Sequence, residues 1–143
     1  MITDERGLPI AHDPYYSTPT TYDRLSAALM QERDIAQLAE ISLSLFSDAR
    51  NELHRLKKEI KTADKLTVDR IDNEIWNIQD FVMTIAEKRI DKIVGLATSE
   101  AVTGEKMDRT GMMEHELIMM NKITDAIKVN LDQAYQTAGV TEK

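Results

Sequence analysis

The chain has 143 residues, a formal net charge of −7, no cysteine, and 42% hydrophobic residues. That is the size of one ordinary domain with enough apolar content for a packed core, which excludes a wholly disordered chain. The acid excess argues against a general nucleic-acid binder. The lack of cysteine excludes disulfides, zinc–thiolate sites and thiol nucleophiles, and fits a cytoplasmic setting.

Residues 1–19 read as an irregular arm, because Gly7, Pro9, Asp13-Pro14 and Thr18-Pro19 all disfavour helix. The stretch Thr3-Asp4-Glu5-Arg6 near the start is polar and carries acids, so no signal peptide is expected. Tyr15 and Tyr16 in this arm read as part of a loosely held terminus. No proline follows Pro19, which leaves long helices unbroken. Helix one is expected to start at Thr20 or Thr21, either of which can cap it, and to bury Leu25, Ala28 and Leu29. A break is expected near Arg33-Asp34, with Asp34 capping the next helix.

Helix two is expected over residues 35–61, on the spacing of Ile35, Leu38, Leu45, Ala49, Leu53, Leu56 and Ile60. The phase is loose at Ser42, a polar residue in the apolar stripe. Its last turns collect Arg50, Arg55, Lys57, Lys58 and Lys61. Cations near a helix C-terminus are favourable by about 0.3–1 kcal/mol each. The basic run is therefore first a solvated helix end, and second a possible binding patch with weak or indirect DNA contact.

Residues 67–101 read as one long helix around which the others are organised. Val68, Ile71, Ile75, Ile78, Val82 and Ile85 recur at steps of three and four, and Ile93 and Leu96 continue the seam. Trp76, Phe81 and Met83 lie off that seam and predict a second packed face. The seam position after Ile85 is Arg89, a charge where a core residue is expected. A buried arginine needs a paired guanidinium and apolar neighbours for its stem. Glu32, Glu40, Asp48 and Glu116 are candidate partners, and an ion pair fixing helix register is the expected role, with a subunit-interface role second.

Residues 98–111 form a polar break holding Gly104 and Gly111. Helix four is expected over residues 112–137, with Met113, Leu117, Met120, Ile123, Ile127, Leu131 and Ala134 as its buried face. Gly139 can end it, leaving residues 138–143 as a tail or linker. The sum is an all-α, elongated bundle of four main helices, two of them long. Rods with more than one apolar face are expected to complete their burial on other subunits. No run of about 18 apolar residues occurs, so no membrane span is expected.

The motifs of common chemistries are missing. A di-iron bundle needs Glu-x-x-His on two helices, but Asn51 and Met112 stand three residues before His54 and His115. The methionines around His115 (Met112, Met113, Met119, Met120) sit at helical spacing and read as core filler rather than soft-metal ligands. Gly104-Glu105-Lys106 is not a phosphate loop. His12, His54 and His115 lie far apart in sequence with no nucleophile beside them. No catalytic site, cofactor or metal is expected, and the chain reads as a non-enzyme.

Glu74-Ile75-Trp76-Asn77, followed by Arg89-Ile90-Asp91-Lys92-Ile93 and Leu96-Ala97, resembles the central helix of GINS subunits, most of all archaeal ones whose α-helical domain comes first. The resemblance covers about residues 20–137, and the order and lengths of the helices carry most of it. It implies a non-catalytic structural subunit in DNA replication, assembled with itself or related GINS subunits into a tetramer near the nucleoid. It further implies that the complex bridges the MCM helicase and a RecJ-like partner and activates unwinding. Arg89, Glu74, Trp76, Phe81 and Asn77 would then be structural or subunit-interface residues. Members of this order usually carry a small β-rich domain after the helices. The sequence to Lys143 does not contain one, so the chain is either trimmed in the linker or lacks it. An unrelated oligomeric helical adaptor, or a chaperone-like assembly, would share the long helices and the acidity.

Overall fold

A computed structural model describes residues 19–140, and the expected arm before Pro19 and the last three residues lie outside the described part. Among the described residues the architecture is all-α: α1 (Thr21–Asp34), α2 (Leu45–Glu59) followed by a 3₁₀ turn (Ile60–Thr62), α3 (Lys65–Thr103) and α4 (Glu114–Ala138). No described helix is long and apolar enough to cross a membrane.

Local chemistry sets the helix ends. Thr20 caps α1: its hydroxyl accepts the Asp23 N–H at 3.1 Å, and the Asp23 carboxylate accepts the Thr20 N–H at 3.3 Å. Asp64 caps α3 by accepting the Thr67 N–H at 2.8 Å, three residues earlier than the start expected at Thr67. α3 then runs on to Thr103, and Gly104, at φ 78°, ends it in the left-handed region that glycine enters without a Cβ penalty.

Helix α3 has 39 residues, about 58 Å of rod at 1.5 Å per residue. The other three helices pack along it. α1 runs parallel to it, with Tyr22 edge-on to Phe81 at one end and Glu32 beside Arg89 and Lys92 at the other. α2 returns antiparallel, joined to α3 through the short turn at residues 60–64, with Glu59 4.0 Å from Arg70. α4 runs parallel to α3: Glu116 meets Arg89 near one end, and Leu131 and Tyr135 line a shallow groove with Ala101–Gly104 at the other. Residues 104–113 must therefore travel back along the rod before α4 can begin.

The buried residues of α3 change step along its length. Ile71, Ile78 and Ile85 are seven apart, whereas Ile85, Arg89, Ile93 and Ala97 are four apart. Steps of four turn the buried face by about 40° each on a 3.6-residue helix. Three such steps swing it by roughly 120°, from the side holding α1 and α2 to the side holding α4. The core divides accordingly. One cluster (with Leu25, Leu29, Leu45, Leu56, Ile71, Ile78 and Ile85) fills the α1–α2–α3 end, and another (Ile93, Ala97, Met112, Met120) fills the α3–α4 end. Arg89 sits at the junction.

Two expectations are corrected. Helix two does not cover residues 35–61: Asp34 ends α1, residues 35–44 are irregular, and α2 starts only at Leu45. The physical reason is that the backbone of this stretch bonds side chains of other elements, as described below. Nor is the second face of α3 packed throughout by the described residues. Phe81 is half-buried against Tyr22, but Trp76 is 64% exposed and Met83 60% exposed.

Candidate functional site

Among the described residues the most concentrated chemistry is around Arg89, whose side chain is fully buried. Its guanidinium has five N–H donors in a planar fork, and each has an acceptor. Nε and Nη2 grip the Glu116 carboxylate side-on at 2.7 and 2.9 Å. Nη1 donates to Glu32 Oε1 at 2.8 Å and to the Ala39 carbonyl at 2.9 Å, and Nη2 also donates to the Gly111 carbonyl at 2.9 Å.

Lys92, one turn along α3, completes the cluster. Its ammonium donates to Glu32 Oε2 at 2.6 Å and to the carbonyls of Glu32 and Gln37 at 2.7 and 2.8 Å. Glu32 Oε2 also accepts the Ala39 N–H at 3.0 Å, and Glu116 Oε1 accepts the Met113 N–H at 2.9 Å. Glu116 thereby supplies the acidic group favoured in the first turn of α4. Two cations meet two carboxylates, so the cluster is neutral and every donor of both cations is used.

The direction of each pKa shift follows from this geometry. Burial pushes the Glu32 carboxyl up, but the bonds from Lys92, Ala39 and Arg89 together more than reverse it, and its pKa lies below the ordinary glutamate value. Burial acts the same way on Glu116, and Arg89 and the Met113 N–H reverse it. For Arg89 burial disfavours the charge, while Glu116 and Glu32 restore it and hold its pKa above the usual arginine value. The cluster joins the end of α1, residues 37–39, residue 111 and the start of α4 to one point on α3. Residues 37–39 cannot continue a helix while their carbonyls and N–H serve it.

A smaller tie holds the return loop. Arg109 grips both Glu100 oxygens at 2.8 and 2.7 Å, and donates to the Met107 carbonyl at 3.0 Å and to Asn121 Oδ1 at 3.0 Å. Glu100 Oε1 also accepts the Met107 N–H at 2.8 Å. The bonds from Arg109 and the Met107 N–H bring the Glu100 carboxyl down to about 2.

Of the candidate partners of Arg89, Glu32 and Glu116 are in place. Asp48 instead meets Arg24 at 3.0 Å and Ser44. Glu40 is exposed. Glu74 and Asn77 are half-buried on α3, and Glu74 lies 3.7 Å from Arg70. The basic residues divide. Arg55 is spent on Glu52 and Glu59, whereas Arg50, Lys57, Lys58 and Lys61 are exposed. Met112, Met113 and Met120 are buried core residues, and His115 lies against the ring of Phe46. Sequence reasoning misses Lys92 as a partner of Glu32, the backbone of residues 37–39 and the Glu100–Arg109 pair. Lys92 stands three residues beyond Arg89, which is the one signal that it shares a face with it.

The fold and this cluster together define an all-α packing module built on a central rod. Comparison with protein-family models, with curated proteins and with solved structures gives no match.

Proposed function

We propose that this chain is a non-catalytic scaffold subunit, of the GINS kind, in the DNA-replication machinery. In this reading it assembles with sister helical subunits into a tetramer and bridges the MCM helicase and a RecJ-like partner. The observation that carries the scaffold part is the saturation of the Arg89 cluster. Charged groups that serve catalysis face a cavity and leave a donor or acceptor for substrate, whereas these four groups are spent on one another and on backbone. The replication part rests on the resemblance in Glu74–Asn77 and Arg89–Ala97, which lie on one uninterrupted helix, together with the order of the helices. DNA contact in this reading is weak or indirect and falls to the exposed cations of α2.

The test is recovery of partners from native extract on the tagged full chain. Recovery of MCM helicase together with a RecJ-like protein supports the reading. A chain that recovers neither, and assembles only with unrelated proteins, is a general helical adaptor, and the replication reading fails.

A further inference from the structure

The outer side of α3 carries an apolar strip that no part of the described chain covers. Trp76, Met83, Ile90 and Val94 are 64, 60, 43 and 39% exposed. The steps between them are seven, seven and four, which at 100° per residue confines them to a band about 40° wide and roughly 27 Å long. That is the seam by which one helix receives another. Isolated exposed apolar residues need no explanation, but an aligned row including a tryptophan does.

The charges along the strip are of one sign. Asp80, Glu87 and Asp91 are exposed beside it. The cations of the same stretch, Lys88, Arg89 and Lys92, lie round the helix from it. Arg89 is buried and Lys92 is tied to Glu32. An occupant must therefore bring apolar residues at seven-residue spacing with cations flanking them. A second copy of this strip does the reverse, setting both rows of acids along the flanks of one contact without a counter-charge. The chain's own residues 1–18 also bring the wrong sign, with Asp4, Glu5 and Asp13 against Arg6 alone.

We infer that this strip is a docking surface for a basic amphipathic helix of a partner protein. Its apolar residues pack between Trp76 and Val94, and its lysines or arginines pair with Asp80, Glu87 and Asp91. The inference rests on the strip alone and stands whether or not the helicase reading holds.

The chain has a single tryptophan, so Trp76 emission reports the strip directly. Indole emission moves to shorter wavelength as water leaves the ring. The experiment titrates the full chain with two synthetic helical peptides of about 21 residues, long enough to span the strip. Both lack aromatic residues and carry leucine at seven-residue spacing, one with lysine flanks and the other with glutamate flanks. The expected result is a blue shift with the lysine peptide, at least tenfold weaker with the glutamate peptide. Met83→Glu is expected to abolish it, and Asp80→Lys/Glu87→Lys to reverse the preference. These positions face water, so circular dichroism should stay unchanged. No shift, or equal shifts with both peptides, overturns the proposal. A blue shift that grows with protein concentration alone gives the strip to a second copy. Emission that is already blue and reddens on removal of residues 1–18 gives it to the chain's own terminus. Either result overturns the proposal as well.

Discussion

Arg89 on α3 and Glu116 in the first turn of α4 are joined side-on, Nε to Oε2 at 2.7 Å and Nη2 to Oε1 at 2.9 Å. This pair sits where one apolar cluster ends and the other begins. Removing one side leaves a buried charge alone, which costs about 3–5 kcal/mol. Arg89→Ala is therefore expected to lower stability to denaturant by about that amount. Arg89→Lys keeps the charge but gives up the planar fork, and is expected to lose about 2 kcal/mol through broken charge-assisted bonds. Urea unfolding of the two variants checks both the size and the order. An unchanged midpoint for Arg89→Ala is incompatible with a buried, saturated guanidinium.

The same pair marks where the sequence was readable. Arg89 stood out because Ile71, Ile78 and Ile85 predict an apolar residue at its place, and a buried arginine needs acids, which Glu32 and Glu116 supply. The sequence predicts helix over residues 35–44 because Ile35, Leu38 and Leu45 keep helical spacing while Ala36, Gln37 and Ala39 carry no turn signal. What ends the helix is tertiary: the Gln37 and Ala39 carbonyls bond side chains of α3, far away in sequence. Only Ser42, out of phase in the stripe, hinted at it. The face at Trp76 and Met83, uncovered among the described residues, is illegible for a related reason. Spacing shows that residues share a face, and not whether this chain possesses a helix to cover it.

Acid should loosen the return loop. Glu100 has its carboxyl depressed from 4.5 to about 2 by Arg109 and the Met107 N–H. A carboxyl that binds its proton less readily when folded stabilises the fold above its unfolded value, and that stability is lost as pH falls. The window here runs from about pH 4.5 down to about pH 2. Glu32 and Glu116 are also lowered and act in the same direction. Glu100→Gln isolates the loop: its melting temperature should be lower than that of the parent chain at pH 7, with the two converging toward pH 2. Parallel pH profiles for the two proteins would show that Glu100 has no such linkage.

Thr124, on the face of α4 turned to α3, is 3% exposed, and its hydroxyl has no hydrogen-bond partner among the described residues. A buried, unpaired hydroxyl is costly to desolvate, and valine fills almost the same volume without one. Thr124→Val is expected to raise stability by about 1 kcal/mol, seen as a higher urea midpoint with an unchanged slope. A loss of stability would mean that the hydroxyl is satisfied in solution.

Two glycines at one end of α3 should respond in opposite directions to one substitution. A Cβ added at Gly95 or at Gly104 meets nothing within 4 Å, so packing does not distinguish them. Backbone conformation does. Gly95 lies inside the helix, where alanine restricts the unfolded chain and suits the fold, so Gly95→Ala should stabilise by about 0.5–1 kcal/mol. Gly104 is held at φ 78°, where an L side chain crowds the carbonyl that follows, so Gly104→Ala should destabilise by about 1–2 kcal/mol. Thermal melts of the two variants, measured side by side, test whether α3 ends at Thr103 as described. Two shifts of the same sign would place that end elsewhere.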